Sequence, residues 1–323
     1  MKSKSALRHH EPPVLPVVLL FGPTGVGKTD LIRNLPVEYF EVISADSMQV
    51  YRGMDIGTAK PDRAFREHIP HHLIDIRNPG EQFHLGDFIR LADEAVLDIL
   101  KRGRLPVISG GTAYYFKHFL YGLPEAPSSD PHIRAGLAAR VQREGLEPLR
   151  EMLHRVDPVS AERIDANDAY RIQRALEVYM SSGRPLSSFR LPEKLREGLD
   201  PLIIGLTRPR EELYRRIDRR VEEMFAAGLP MEVASLKQAG YGPGDPGMKA
   251  IGYREFFEGE GEPLPRIQTA SRRYAKRQLT FFRTLPGTIW MNPEEGEEII
   301  SRIYSFFNSR KESISRISSV SSE

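Results

Sequence analysis

The sequence predicts an α/β protein: a parallel sheet flanked by helices, with a mostly helical segment inserted into it. Three observations carry this. A short apolar run, Val14–Leu20 broken only by Pro16, leads into the Gly-rich stretch FGPTGVGKT (Phe21–Thr29) and then into Asp30–Leu35, which reads as helix. Short runs rich in Val, Ile and Leu alternate with amphipathic helical periods along the first half of the chain. At Gly122 the composition shifts to a Pro/Ser-rich connector, GLPEAPSSDP, and then to charge-dense helical sequence before an apolar run returns at Leu202.

The Gly-rich stretch makes the fold class specific. Gly22-x-x-x-x-Gly27-Lys28-Thr29 matches the phosphate-binding loop pattern in its required strand–loop–helix context, so the sheet is of the P-loop NTPase-like kind. Glycines let backbone N–H groups curl around an anion, the next helix adds its positive N-terminal end, and Lys28 adds a full charge. The residues assigned to this grip are Gly22, Pro23, Thr24, Gly25, Val26, Gly27, Lys28 and Thr29. The Thr29 hydroxyl suits a Mg²⁺ ion carried by the phosphate groups. A Gly-rich turn before an ordinary helix is the bland alternative, and the agreement of motif and context argues against it. The motif says that a polyphosphate is held, not whose.

Composition narrows the class. A chain of 323 residues, 40% hydrophobic, is long enough for one large domain or two smaller ones. With no cysteine there are no disulfides, no thiolate catalysis and no Cys-based zinc site. The apolar runs are too short to span a bilayer, and MKSKSALRHHEPP lacks the apolar core of a signal peptide, so a cytoplasmic protein is expected. Net charge is only +2, so nucleic-acid binding must come from local clusters.

In chain order, 1–13 reads as a lead-in without structure, 14–124 as the first part of the sheet domain, and 125–200 as the helical insertion. Residues 201–308 read as the second part of the sheet domain, with basic C-terminal helices, and the Ser-rich 309–323 as a tail without structure. Phe40–Ala45 is a strand ending at Asp46-Ser47-Met48-Gln49. A carboxylate there lies in the crevice where open α/β sheets bind ligands. Asp46 is a candidate Mg²⁺ ligand, general base or helix N-cap, and the residue pattern alone leaves all three open. Tyr51–Lys60 reads as loop and His72–Ile76 as a further strand; His68, His71 and His72 have no companion ligand at convincing metal spacing. Phe88–Leu100 is an amphipathic helix closed by Gly103. Leu105–Ile108 is a strand delivering Ser109-Gly110-Gly111-Thr112 where a phosphate-loop ATPase usually places an acidic residue to manage Mg²⁺, which tilts the reading away from a nucleotide-hydrolysing motor.

Three basic segments follow. Ala169–Met180 places Arg171 and Arg174 on one helix face. Arg210–Ala227 is a helix with Leu213, Ile217, Val221 and Met224 as its buried stripe. There Arg216 and Arg220 are either a cationic clamp on the phosphate loop or surface ion pairs with Glu212 and Glu223. Arg266–Arg283 carries Arg266, Arg272, Arg273, Lys276, Arg277 and Arg283, no acidic residue, and the aromatics Tyr274, Phe281 and Phe282. It is an RNA-binding helix or a plain basic helix with a buried aromatic face.

FGPTGVGKT, SADSMQVYRGMDIGTAKP, HHLIDI, SGGTAYYF, DPVSAERI, RALEV, PREELYRRIDRRVEEM, AIGYREF and YAKRQLTFFR, in this order and spacing, resemble the bacterial tRNA dimethylallyltransferases, also called isopentenyl-tRNA transferases. The resemblance runs from about Val17 to Arg283. It implies transfer of a dimethylallyl group from dimethylallyl diphosphate to N6 of adenosine at tRNA position 37, with Mg²⁺ as cofactor, tRNA as partner, no membrane partner and a monomeric enzyme. The loop then holds the donor's pyrophosphate rather than ATP. The resemblance gives Thr24, Lys28 and Thr29 to pyrophosphate and Mg²⁺, Arg220 to the leaving group, and Asp46 to the N6 proton of a flipped-out adenine. It turns Asp46, Ser47, Met48, Gln49, Thr112, Arg134, Tyr170, Arg171, Ile172, Gln173, Arg174, Lys249, Gly252, Tyr253, Arg254, Lys276, Arg277, Gln278 and Arg283 toward tRNA. Two departures stand out: Val26 where Ser is common, and Ala113-Tyr114 where Gly-Leu is common, the latter expected to reshape the pocket near Thr112. The absence of cysteine rules out the zinc finger of eukaryotic relatives and points to a bacterial-type enzyme. A small-molecule kinase on the same loop and a catalytically inactive RNA-binding protein are the rival readings.

Overall fold

Strand β1 (Leu15–Phe21) is fully buried beyond its first residue, as expected of a parallel strand covered on both faces. It runs into the phosphate loop and helix α1 (Lys28–Arg33). The computed structural model describes residues 14–127, 129–190 and 192–319; the expected lead-in over 1–13 lies outside them. The described residues divide into two compact units, one formed by the chain up to Leu120 together with the chain from Glu197 onward, the other Tyr121–Arg196.

In the first unit, β2 (Phe40–Ser44), α2 (Arg63–His68), β3 (His71–His72), α3 (Leu85–Lys101) and β4 (Leu105–Gly110) follow α1, and α4 (Ala113–Tyr121) leads out. The six strands lie in the order β3-β2-β4-β1-β5-β6, where β5 is Leu199–Leu206 and β6 is Ile289–Met291, and every pairing is parallel. The register sets Phe21 beside Gly110 and Gly205, and Ser44 beside Ser109. The C-terminal ends of the central strands therefore finish level, and the loops leaving them face one another. Helix α3 packs on β1, β2 and β4.

The apolar face of α3 (Phe88, Ala92, Ala95, Val96, Ile99, Leu100) recurs at helical spacing and is buried, as the sequence pattern predicts. At the mouth of β1 the Phe21 ring stacks on Phe282 at 4.4 Å and meets Phe116 edge-on at 5.1 Å. This ties α4 and helix α11 (Pro263–Phe282) to the strand that carries the loop. A second cluster of buried side chains includes Val50, Tyr51, Met54, Val221, Leu229, Val233, Met248 and Tyr253. It seats the irregular segment 46–60 against α9 (Arg210–Ala226) and α10 (Leu229–Gln238).

Two expectations need correction. The strand predicted over His72–Ile76 is only His71–His72, because Leu73 and Asp75 take left-handed backbone conformations (φ 65° and 56°) that end the ladder. Asp75 is held there by Lys60 Nζ at 2.6 Å and Arg66 Nη1 at 2.6 Å. The Ser-rich stretch from Ser309, expected to lack structure, continues helix α12 (Gly296–Ser319). Ile299, Ile303, Phe307 and Ile314 keep one face of it buried, and Ser318 Oγ donates to the Lys101 carbonyl at 2.9 Å. Here the spacing of apolar residues outweighs composition; residues 320–323 lie outside the description.

The second unit comprises α5 (Pro131–Glu144), α6 (Glu147–Val156), α7 (Pro158–Arg163) and α8 (Ala169–Ser182) around Leu137, Leu149, Leu153, Ile172, Ala175 and Leu176. Asp157 caps α7 by accepting from the Ser160 amide at 3.0 Å, with Pro158 in the first turn. Among the described residues no helix is long and apolar enough to cross a membrane.

Candidate active site

The level strand ends open onto a cleft of about 920 Å³ lined by the phosphate loop, Asp46–Gln49, residues 57–62, and parts of α9 and α11. The loop is braced from outside by cations on its own carbonyls. Lys28 Nζ donates to Gly22 O at 2.8 Å and Pro23 O at 3.0 Å, Arg216 Nε to Gly25 O at 3.0 Å, and Arg208 Nε to Val26 O at 2.9 Å. With the carbonyls drawn outward, the amides of Gly25, Gly27, Lys28 and Thr29 meet no acceptor among the described residues. Gly27 sits at φ 112°, a conformation side-chain-bearing residues rarely adopt, and this turn lets the amides converge. Unpaired amides in a ring at a helix start are an anion site.

Burial and the neighbouring Arg220 guanidinium lower the Lys28 ammonium to a pKa of about 7, with the Asp46 carboxylate opposing. Two cations share one cleft and repel each other, a repulsion that a bound diphosphate would relieve. Burial also lowers the pKa of Arg220, whose Nη1 donates to Thr24 Oγ1 at 3.4 Å. The expected ion pairs with Glu212 and Glu223 are not formed, since Glu212 pairs with Arg208 and Glu223 with Arg219; Arg216 and Arg220 reach the loop, and Arg216 also lies 3.7 Å from the exposed Asp30 carboxylate.

Across the cleft, Asp46 Oδ1 accepts from the Met48 amide at 2.8 Å and the Gln49 amide at 3.4 Å. The residue thus closes a tight turn rather than capping a helix. Gly110 permits the close approach: a Cβ there would lie 2.2 Å from the Ala45 carbonyl oxygen. Thr112 Oγ1 accepts from the Ser47 amide at 3.0 Å, and Gln49 is held by Ser44 Oγ at 3.0 Å. Tyr115 and Tyr274 stand near Asp46, and burial, then the Asp46 carboxylate, push both phenols upward, so both stay protonated.

The expected RNA-facing residues divide. Lys249, Lys276, Arg277, Arg283, Tyr170 and Arg171 are exposed, and Gln173 is half-buried. Others make contacts within the protein: the buried Ile172, Gly252 and Tyr253 do not face outward as expected, while Arg134, Arg174 and Arg254 are paired yet partly exposed. Gln278 is buried, with Oε1 accepting from the Thr24 amide at 2.9 Å and Nε2 donating to Gly111 O at 2.7 Å. Ile172 and Tyr253 are buried core residues. The Tyr253 hydroxyl donates to Glu232 at 2.6 Å, and the buried Gly252 amide donates to Glu255 at 2.8 Å. Arg134 and Arg174 pair with the buried Glu177, and Arg254 pairs with Glu255. On α11, Arg272 is bound to Asp218 and Arg266 to backbone carbonyls. His71 Nδ1 bonds the Ile69 carbonyl and His72 Nε2 bonds Glu41, while His68 is exposed.

Sequence reading missed the loop brace Arg208 and the anchor Glu232, and it gave Gln278 to tRNA without its role as a brace of the loop. The Glu232 carboxylate accepts from the Asp55, Ile56 and Gly57 amides at 2.9–3.2 Å and so fixes the cleft wall.

Comparison with known proteins identifies the family. The family model described as IPP transferase matches residues 49–285. A tRNA dimethylallyltransferase 2 of Geotalea daltonii is 43% identical over 90% of this chain and 92% of its own. A tRNA dimethylallyltransferase of Borrelia turicatae is 42% identical over 86% and 95%. Among solved structures, the full-length tRNA isopentenylpyrophosphate transferase of Bacillus halodurans is 35% identical, with a TM-score of 0.65 over 92% of this chain and 98% of that one. A eukaryotic dimethylallyltransferase captured acting on tRNA is 30% identical, with a TM-score of 0.70 over 82% and 69%. On sequence and fold together, the chain belongs to the IPP transferase family of tRNA dimethylallyltransferases.

Proposed function

We propose that the protein transfers the dimethylallyl group of dimethylallyl diphosphate to N6 of adenosine 37 of tRNA, releasing pyrophosphate. One observation carries the reading. A loop whose open amides and flanking cations suit a diphosphate shares a single cleft with a carboxylate on the opposite strand end, and β4 ends in Ser109-Gly110 with no acid for ATP hydrolysis.

The N6 lone pair attacks the donor's allylic carbon while its bond to the diphosphate oxygen breaks. Negative charge grows on the leaving pyrophosphate, where Lys28, Arg220 and the loop amides are already in place. The N6 proton passes to Asp46 as or after the bond forms, so an ordinary carboxylate suffices. The cleft residue Thr29 would hold Mg²⁺ through its hydroxyl, with diphosphate oxygens and water completing a set that suits an ion which keeps its hydration. Bound there, it neutralises diphosphate charge. Loop, base and arginine come from one chain, so a monomer is sufficient, and the cytoplasm is the compartment in which we expect it to meet tRNA.

Ligand titration separates this reading from a kinase. In the presence of Mg²⁺, pyrophosphate should compete with dimethylallyl diphosphate for one site, and ATP should not be turned over with small-molecule acceptors. Phosphoryl transfer from ATP to such an acceptor would replace the proposal.

A further inference from the structure

We propose that Tyr114 and Phe281 form a stacking shelf beside the cleft that receives an unpaired base of the RNA acceptor next to the target adenosine. This deepens the proposed function and rests on it. Tyr114 is 52% exposed although its neighbours Ala113, Tyr115 and Phe116 are buried. It stands in the first turn of α4, two residues beyond Thr112, which holds the Ser47 amide of the cleft wall. Phe281, half-buried, lies one helical turn beyond the cleft-lining Arg277 and Gln278 on α11. The two elements thus bring an aromatic pair to one rim, with ring centroids 6.5 Å apart and planes at 72°. The Tyr114 ring also meets His118 edge-on, at 4.3 Å and 68°. Lys117 Nζ sits 5.6 Å from the Phe281 ring centre, and Arg277 and Arg283 are exposed on the same stretch of α11.

Exposed rings interleaved with cations suit single-stranded RNA: each base offers a π-face and each phosphate a negative charge. The Asp46 turn requires the target base to leave its stack, which strips a neighbouring base of one stacking partner. An aromatic shelf at the rim replaces that partner. Tyr114 is then a residue that biases which loops are modified, through the strength with which the flanking base stacks.

The test uses an anticodon stem–loop carrying 2-aminopurine at either base flanking the target adenosine, with the full-length protein and the variants Tyr114→Ala and Tyr114→Trp. Wild type and Tyr114→Trp should quench the probe at one flanking position. Tyr114→Ala should lose that quench and raise KM for the stem–loop about tenfold, with KM for the donor unmoved. Wild-type quench and RNA KM in Tyr114→Ala would overturn the shelf, and so would an equal rise in both KM values, which marks the ring as structural. Quenching by a wild-type protein that transfers nothing would keep the shelf and overturn the assigned reaction.

Discussion

Asp46 holds its position through the turn it closes, so an alanine there removes two things at once. Asp46→Asn keeps an oxygen for the Met48 and Gln49 amides while removing the base. It should cut kcat by about 10²–10⁴-fold with tRNA affinity close to wild type. A parallel loss of tRNA binding, read by filter retention, would make the residue a scaffold. Lys28 gives a pH signature. Its ammonium titrates near pH 7 in the free protein, below its ordinary value of 10.5, and a diphosphate beside it favours the charged form. Binding above pH 7 must then take up a proton, and donor affinity must fall as pH rises, by at most about tenfold per unit. Calorimetry in buffers of different ionisation enthalpy measures this directly; pH-independent binding with no proton uptake would contradict it. Lys28, Thr24 and Asp46 were legible because motif and strand end are local patterns. Gln278 was not, since its partner Thr24 lies 254 residues away and no local period announces the pairing.

At the scale of elements, α9 and α11 turned ambiguous charge patterns into assignments. Helical periodicity located both helices, but only packing shows that Arg216 and Arg220 face the loop while Arg272 is bound to Asp218. The exposed charge along α11 and at its C-cap is therefore Arg273, Lys276, Arg277 and Arg283, the side chains available to meet RNA. Replacing these four with Gln should weaken tRNA binding and lower its salt slope by about one per lost phosphate contact; an unchanged slope removes the helix from the interface. Helix α12 shows composition misleading: its serines suggested a loose tail, while Ile314, 2% exposed, continues the buried stripe. Ile314→Ala should cost about 2–4 kcal/mol in urea unfolding. No change in midpoint would return the segment to an unstructured tail.

For the whole molecule, the parallel sheet and the phosphate loop at its strand ends follow from the alternation of short apolar runs with amphipathic helices. The crossover order β3-β2-β4-β1-β5-β6 does not, because apolar runs carry no record of which neighbour they pair with. The composition shift at Gly122 marks where the chain leaves the sheet, and the four helices between Tyr121 and Arg196 close their own small core. At the Ala113-Tyr114 departure the Tyr114 ring is left 52% exposed. The site's chemistry needs the loop to hold a leaving diphosphate while Asp46 serves an RNA base, and one assay examines both. Purified protein is incubated with Mg²⁺, dimethylallyl diphosphate labelled in its hydrocarbon, and unmodified tRNA with adenosine at position 37. Label should enter the RNA with release of pyrophosphate, and both should vanish when that adenosine is replaced. Label that persists in the substituted RNA, or pyrophosphate released without RNA labelling, would contradict the assignment.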